Sequence, residues 1–130
     1  MIPAAVRTAI AEHARAELPN EACGLLLLAD DVAVEYVAAE NASPSPTYFE
    51  LRLDPVVWAD LGDRDVEQAV VHSHVASPPR PSRTDVERIG LWRNRPYVIY
   101  SVRLDEFAVW LIGDGGISAV PLSEDRAERT

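Results

Sequence analysis

Six short runs rich in apolar residues, none longer than eight, set the limits on what this chain can fold into. CGLLLLA, residues 23–29, is apolar throughout and suits a strand buried on both faces. VAVEYVAA follows from Val32 after an Asp30-Asp31 pair, a dipeptide that tolerates the turn geometry of a tight hairpin. AVVHSH occupies 69–74. PYVIYSV, FAVWLIG and ISAVPL close the series, separated by the polar RLDE and the glycine-rich GDGG, and read as an antiparallel meander. A chain so patterned must build a sheet, and its remaining segments must cover that sheet.

Two or three helices are available for the purpose. Val6, Ala9, Ile10, Ala14 and Leu18 recur at helical spacing with Arg, Glu and His between them, and Pro19 stops the run, so an amphipathic helix is expected over 4–18. Asp54 and Pro55 suit an N-cap and a first helical turn, which predicts a modest helix to about Leu61. Ser82 with Asp85 three residues on is a variant of the capping box, so another helix should start near Ser82. NASPSPT, residues 41–47, holds turn formers and breakers and reads as a loop, and Tyr48 to Leu53 reads as a short strand or hairpin arm. The fold class expected is α+β: a single domain, mostly antiparallel sheet, flanked by helices.

At 130 residues the chain is one compact domain, too short for a barrel of eight strand-helix units. No apolar run is long enough to span a membrane, and MIPAAVRTAIAEHARAEL mixes charges into its apolar positions, unlike a signal peptide, so a cytoplasmic location and no membrane partner are expected. The net charge of -9, with no cluster of basic residues, argues against nucleic acid. All 12 basic residues are Arg, which we read as codon usage. Cys23 is the single cysteine, so neither an internal disulfide nor a four-cysteine zinc cage can form.

A metal site would therefore draw on His, Asp and Glu. Two of the three histidines form His72-Ser73-His74 at the end of an apolar run. Residues two apart on a strand point to the same face, so both imidazoles can converge. Seven residues then lead to Ser82 and two more to Asp85, in the first turn of the expected helix, where a loop of that length can fold the carboxylate back to the histidines. Two imidazoles and a carboxylate suit zinc and leave a fourth tetrahedral position for water. The plainer alternative is a solvated strand end beside a capping Asp.

HSHVASPPRPSRTD resembles the signature of the JAMM (MPN+) metallopeptidases: His-x-His, seven residues, Ser, two residues, Asp. PNEACGLLL is similar to the segment that carries an upstream Glu in the prokaryotic branch, which points to Glu21. Spacing alone does not single out that residue, since Glu12, Glu17, Glu35, Glu40 and Glu50 are also present. One departure is Val75, where many members carry Pro after the second His. The likeness runs from the first helix through the meander and implies a peptidase domain over 1–123, with 124–130 as a polar C-terminal tail and a layout like that of cytidine deaminases.

The resemblance implies one Zn2+ per chain on His72, His74 and Asp85, with Glu21 as general base and acid and Ser82 as donor to the oxyanion. It places the docking of an extended substrate tail at Tyr48, Phe49, Glu50 and Leu51, with the loop from Val75 to Pro81 opposite. Arg80 and Arg83 flank the site and are placed to meet a substrate carboxylate, the plainer alternative being ordinary exposed loop arginines. The EACG and HSH contexts are similar to Mec-type peptidases, which implies as partner a ubiquitin-like sulfur carrier protein ending in Gly-Gly, from which cysteine would be released. The alternatives are an enzyme that trims a carrier precursor, a deubiquitinase-like isopeptidase, and a metal-free MPN scaffold, whose mark, loss of ligands, is missing. A zinc deaminase would need a Cys-x-x-Cys pair. Cys23 reads as a buried small residue, His13 as packed or surface, and Trp58, Trp92 and Trp110 as core or its border. Oligomeric state is not fixed by the sequence; a homodimer is compatible with it.

Overall fold

The computed structural model describes residues 2–46 and 48–121; the polar segment 124–130 lies outside the described residues. Helix α1 (Ala4–Ala16) leads into β1 (Cys23–Ala29) and β2 (Val32–Asn41), followed by a two-residue β3 (Leu51–Arg52) and α2 (Pro55–Gly62). Then come β4 (Glu67–His74), α3 (Arg83–Glu87), a 3-10 turn (Gly90–Trp92) and the strands β5 (Pro96–Ser101), β6 (Glu106–Gly113) and β7 (Gly116–Val120). The strands form one seven-stranded sheet in the order β3-β2-β1-β4-β5-β6-β7. Every pairing is antiparallel except β4 with β5, which run parallel. The α+β class and the meander of the last three strands are as expected. The parallel step is an addition, made because the chain crosses over through α3 and the 3-10 turn between β4 and β5.

Turn chemistry acts where the residues called for it. Asp30 and Asp31 join β1 to β2 with φ of 51° and 64°, the positive pair that a two-residue hairpin turn of matching twist requires. Asp54 caps α2, its carboxylate accepting from the Val56 amide at 2.8 Å, with Pro55 in the first turn.

Period-two alternation then sorts the core into two faces. Leu26 and Leu28 of β1, Ala69 and Val71 of β4, and Val98 and Tyr100 of β5 face α1, which contributes Ile10, Ala11 and Ala14. The opposite face presents Cys23, Val70, Tyr97 and Ile99, covered by Phe49 and by Ile89 after α3. Leu25 and Leu27 on that face pack under Leu61 of α2. Burying each such leucine is worth roughly 1.5–3 kcal/mol, so a one-residue slip of β1 or β4 is strongly disfavoured. Because Val70 faces away from α1, His72 and His74 do too.

Three local expectations differ in extent. Leu18 lies beyond the end of α1 and is 43% exposed, since the helix closes at Ala16 and only Ile10, Ala11 and Ala14 are buried on it. Tyr48 to Leu53 holds strand pairing only at Leu51–Arg52. Trp58, on the short α2, is 37% exposed, a border residue rather than core. Among the described residues, no helix is long and apolar enough to cross a membrane.

Candidate metal centre

The register of the sheet brings the distant parts of the site together. Cys23 pairs with His72, so the segment entering β1, which carries Glu21, lies beside the histidine strand. Ser73 points to the other face and fixes that neighbour: its Oγ accepts from the Ala22 amide at 2.8 Å, and its own amide donates to the Ala22 carbonyl at 2.9 Å. Asp85 is set by the cap of α3. The Ser82 amide donates to Asp85 Oδ2 at 2.8 Å, and the Asp85 amide donates to Ser82 Oγ at 3.1 Å. A capping box with Asp in its third position thus both starts the helix and aims the carboxylate.

His72 Nε2 and His74 Nε2 stand 3.2 Å apart, and each is 3.3 Å from one oxygen of Asp85. A tetrahedral ion with bonds of about 2.0–2.1 Å holds its ligand atoms about 3.3–3.4 Å from one another. The two nitrogens stand close to that spacing, and the carboxylate faces them with one oxygen toward each. Their protonation is compatible as well: His74 Nδ1 lies 2.9 Å from the Pro78 carbonyl, which can only accept, so the proton of a neutral ring sits there and Nε2 offers its lone pair. The His72 ring is fixed by packing, stacked with Phe49 at 4.4 Å between centroids and against Tyr97 at 5.2 Å. Its Nδ1 is buried with no hydrogen-bond partner among the described residues.

The electrostatics fit a cation at this point. Burial opposes the charge on Asp85, yet the two imidazoles and the Ser82 amide hold its carboxyl well below the usual carboxylate range. Burial lowers His72, against the pull of Asp85. Burial acts in the same sense on His74, but there Asp85 and the Pro78 carbonyl outweigh it and the pKa is raised. A buried, ionised carboxylate facing two imidazole nitrogens needs positive charge from a proton or from a metal. His72, His74 and Asp85 together could hold such an ion.

Glu21 is only 6% exposed, with Oε1 buried and lacking a hydrogen-bond partner among the described residues. Burial pushes its carboxyl up to about 7, His74 opposing and Asp85 adding to the rise. An isolated carboxyl near neutrality beside a metal-ligand cluster is the signature of a group that exchanges protons.

Two clefts flank the centre. One, of about 440 Å³, is lined by Glu21, His74 and Ser82 together with Pro19, Pro46 and the Val75–Ser77 loop. The other, of about 280 Å³, has walls from Tyr48 to Leu51 and from Trp58, Arg88, Leu91, Trp92 and Tyr97. A further crevice of about 410 Å³ runs along α1 between Arg7, Arg15 and Asp105 and carries none of the groups of the centre.

The structure thus brings His72, His74, Asp85, Glu21 and Ser82 to one place and lines the adjoining cleft with Tyr48, Phe49, Glu50 and Leu51. Arg80 is exposed on the loop and lines neither flanking cleft. Ser82 is exposed, and its oxygen already accepts from Asp85, which leaves its hydroxyl proton to donate. Cys23 is buried, and burial pushes its thiol up to about 12, so it is no nucleophile. His13 is bound to the Tyr36 hydroxyl at 2.7 Å.

Sequence reasoning passed over Asn41. Its Nδ2 donates to the carbonyls of Glu21 at 2.7 Å and Tyr48 at 3.2 Å, while Oδ1 accepts from the Ser43 and Glu50 amides, both at 2.9 Å. One side chain therefore ties the Glu21 segment to the Tyr48–Glu50 wall. The only signal was an Asn at a strand end, where its amide can replace ladder bonds.

A family profile described as prokaryotic homologues of the JAB domain matches residues 3–121. The CysO-cysteine peptidase of Mycobacterium bovis is 34% identical over 133 residues, covering 95% of this chain and 89% of that protein. Among solved structures, a protein from Desulfitobacterium hafniense superposes with a TM-score of 0.75 at 28% identity, covering 92% of this chain and 88% of that one. A JAB1/MPN domain protein from Archaeoglobus fulgidus does so with a TM-score of 0.63 at 21% identity, over 93% and 94% of the two chains, and shares the fold.

Proposed function

Because the chain belongs to the family of prokaryotic homologues of the JAB domain, we propose that it is a zinc metallopeptidase. Its substrate is a ubiquitin-like sulfur carrier, and it hydrolyses the bond after that protein's Gly-Gly tail to release cysteine. The observation that carries this reading is the convergence of two imidazole nitrogens and a carboxylate beside the buried Glu21, whose Oε1 has no hydrogen-bond partner among the described residues. The choice of substrate is supported by the mycobacterial relative, named a CysO-cysteine peptidase, with which this chain aligns over nearly its whole length.

His72, His74 and Asp85 would hold the ion. The chemistry that zinc supplies in such a site is Lewis acidity, which polarises a carbonyl and acidifies water near neutral pH. Glu21 takes a proton from the attacking water as its oxygen bonds to the scissile carbonyl carbon. The same group then returns that proton to the leaving amine as the C–N bond breaks. One water is consumed, and the products are a carboxylate on the carrier and a free amino acid. Ser82, at the mouth of the same cleft, donates its hydroxyl proton to the oxyanion while its lone pair remains engaged with the Asp85 amide. The wall from Tyr48 to Leu51 takes the extended tail. A cytoplasmic location accords with such a substrate.

The test is to incubate zinc-loaded protein with a sulfur carrier bearing cysteine after its Gly-Gly end and to follow the carrier by mass spectrometry. Loss of one cysteine residue, abolished by Glu21→Gln, is expected. An intact carrier alongside trimming of a longer precursor would overturn the cysteine assignment, and no cleavage of either would overturn the peptidase reading.

A further inference from the structure

Arg88 closes α3, three residues after Asp85 and so on the same side of that helix. Its guanidinium carbon stands 5.0 Å from the centroid of the Tyr48 ring. Tyr48 in turn lies 5.3 Å from Phe49, and Phe49 stacks on His72 at 4.4 Å. A continuous row of rings thus runs from the metal centre to a single cation in the wall of the aromatic cleft.

Arg88 is the one cation in that wall, and like Arg80, Arg95 and Arg103 it has no carboxylate partner among the described residues. Arg15, Arg52, Arg64, Arg83 and Arg93 each pair with a carboxylate at 2.8–3.6 Å. Arg88 has no such pair among the described residues, although the chain carries 21 acidic groups and Glu50 shares the cleft. A guanidinium offers five N–H donors in a planar fork, more than one tyrosine can engage. Held over a ring, it is positioned in advance and loses little freedom on taking a further acceptor.

The direction of the substrate decides what that acceptor is. Glu21 lines the cleft with Pro19 and Pro46 and not the aromatic one. The group that protonates the leaving amine must lie within hydrogen-bond reach of it. The departing residue therefore occupies the Glu21 cleft, and the retained tail lies across the aromatic cleft. A Gly-Gly tail has no side chains, so its carbonyl oxygens are what a protein can grip. We propose that Arg88, stacked on Tyr48, is a tail-binding residue that holds these carbonyls on the retained side of the scissile bond. This rests on the peptidase reading above.

Trp58 and Trp92 line the cleft and report its occupancy by fluorescence. The probe is a short synthetic peptide ending in Gly-Gly, titrated into the zinc-loaded chain. Wild type should show a saturable change. Arg88→Ala should weaken binding about tenfold, the loss of a charge-assisted hydrogen bond, with Arg88→Lys recovering part of it. Arg95→Ala is the control, since Arg95 lies 5.9 Å from the centroid of the Trp92 ring and is not part of the cleft wall. Arg88 is exposed, so its removal should leave the circular dichroism spectrum unchanged. Equal affinity in Arg88→Ala and wild type, or equal loss in Arg95→Ala, overturns the inference while carrier cleavage still stands. A wild type that cleaves the carrier yet binds the peptide with no tryptophan response overturns it too. Neither binding nor cleavage overturns the peptidase reading and the inference with it.

Discussion

Replacing Glu21 by Gln should make the metal-free protein more stable, and only where the carboxyl would be ionised. Burial raises this carboxyl from 4.5 to about 7. Below 4.5 the group is protonated in the folded and unfolded chains alike, and the fold bears no charge penalty. Between 4.5 and about 7 the unfolded chain gives up the proton and the folded chain keeps it, so stability falls as pH rises. Above that window the whole penalty is present. At about 1.4 kcal/mol per pKa unit it amounts to roughly 3 kcal/mol. With a urea dependence of about 1–3 kcal/mol per molar, the midpoint should move by about 1–3 M. The assay is urea unfolding of wild type and Glu21→Gln in chelator, followed by tryptophan fluorescence across the pH range. Gln is nearly isosteric with protonated Glu, so the two proteins should coincide below 4.5, separate as pH rises to about 7, and differ by a constant amount above it. A difference that is constant across the whole pH range would mean that packing rather than buried charge sets it, and no difference would refute the placement of Glu21.

Ser73→Ala removes the acceptor of the buried Ala22 amide; unfolding should show a loss of about 1–3 kcal/mol, and peptidase activity should fall while zinc content stays unchanged. Asn41→Ala breaks four hydrogen bonds that join Glu21 to the Tyr48–Glu50 wall, so hydrogen exchange at the Ser43 and Glu50 amides should accelerate. Unaltered exchange would show that the wall stands without it. Chelation of zinc-loaded wild type should lower its thermal midpoint, because a ligand bound only to the folded state stabilises it; His74→Ala should show no such response.

Much of the fold was legible because it is encoded locally. The Asp30-Asp31 turn, the Asp54-Pro55 helix start and the Ser82–Asp85 capping box each depend on a few adjacent residues, and each forms as those residues dictate. The convergence of His72 and His74 follows from strand alternation alone. Other features depend on partners far along the chain. The parallel pairing of β4 with β5 carries no local mark. Tyr48 to Glu50 looked like strand, but Asn41 takes up the Tyr48 carbonyl and the Glu50 amide in place of a ladder. Glu21 could not be chosen among the glutamates by spacing, and the resemblance pointed to it. The pairing of Cys23 with His72 sets it beside the metal ligands. Arg88 went unremarked because its meaning lies in an absent carboxylate and a nearby ring, neither of which is visible in a linear chain.

Peptidase activity at this centre requires His72, His74 and Asp85 to hold one metal ion. The direct measurement is the zinc content of the purified chain, by atomic emission, after loading and dialysis against metal-free buffer. About one zinc per chain is predicted for wild type, with essentially none in His74→Ala. Wild type without bound zinc, or His74→Ala with a full complement, would contradict the account.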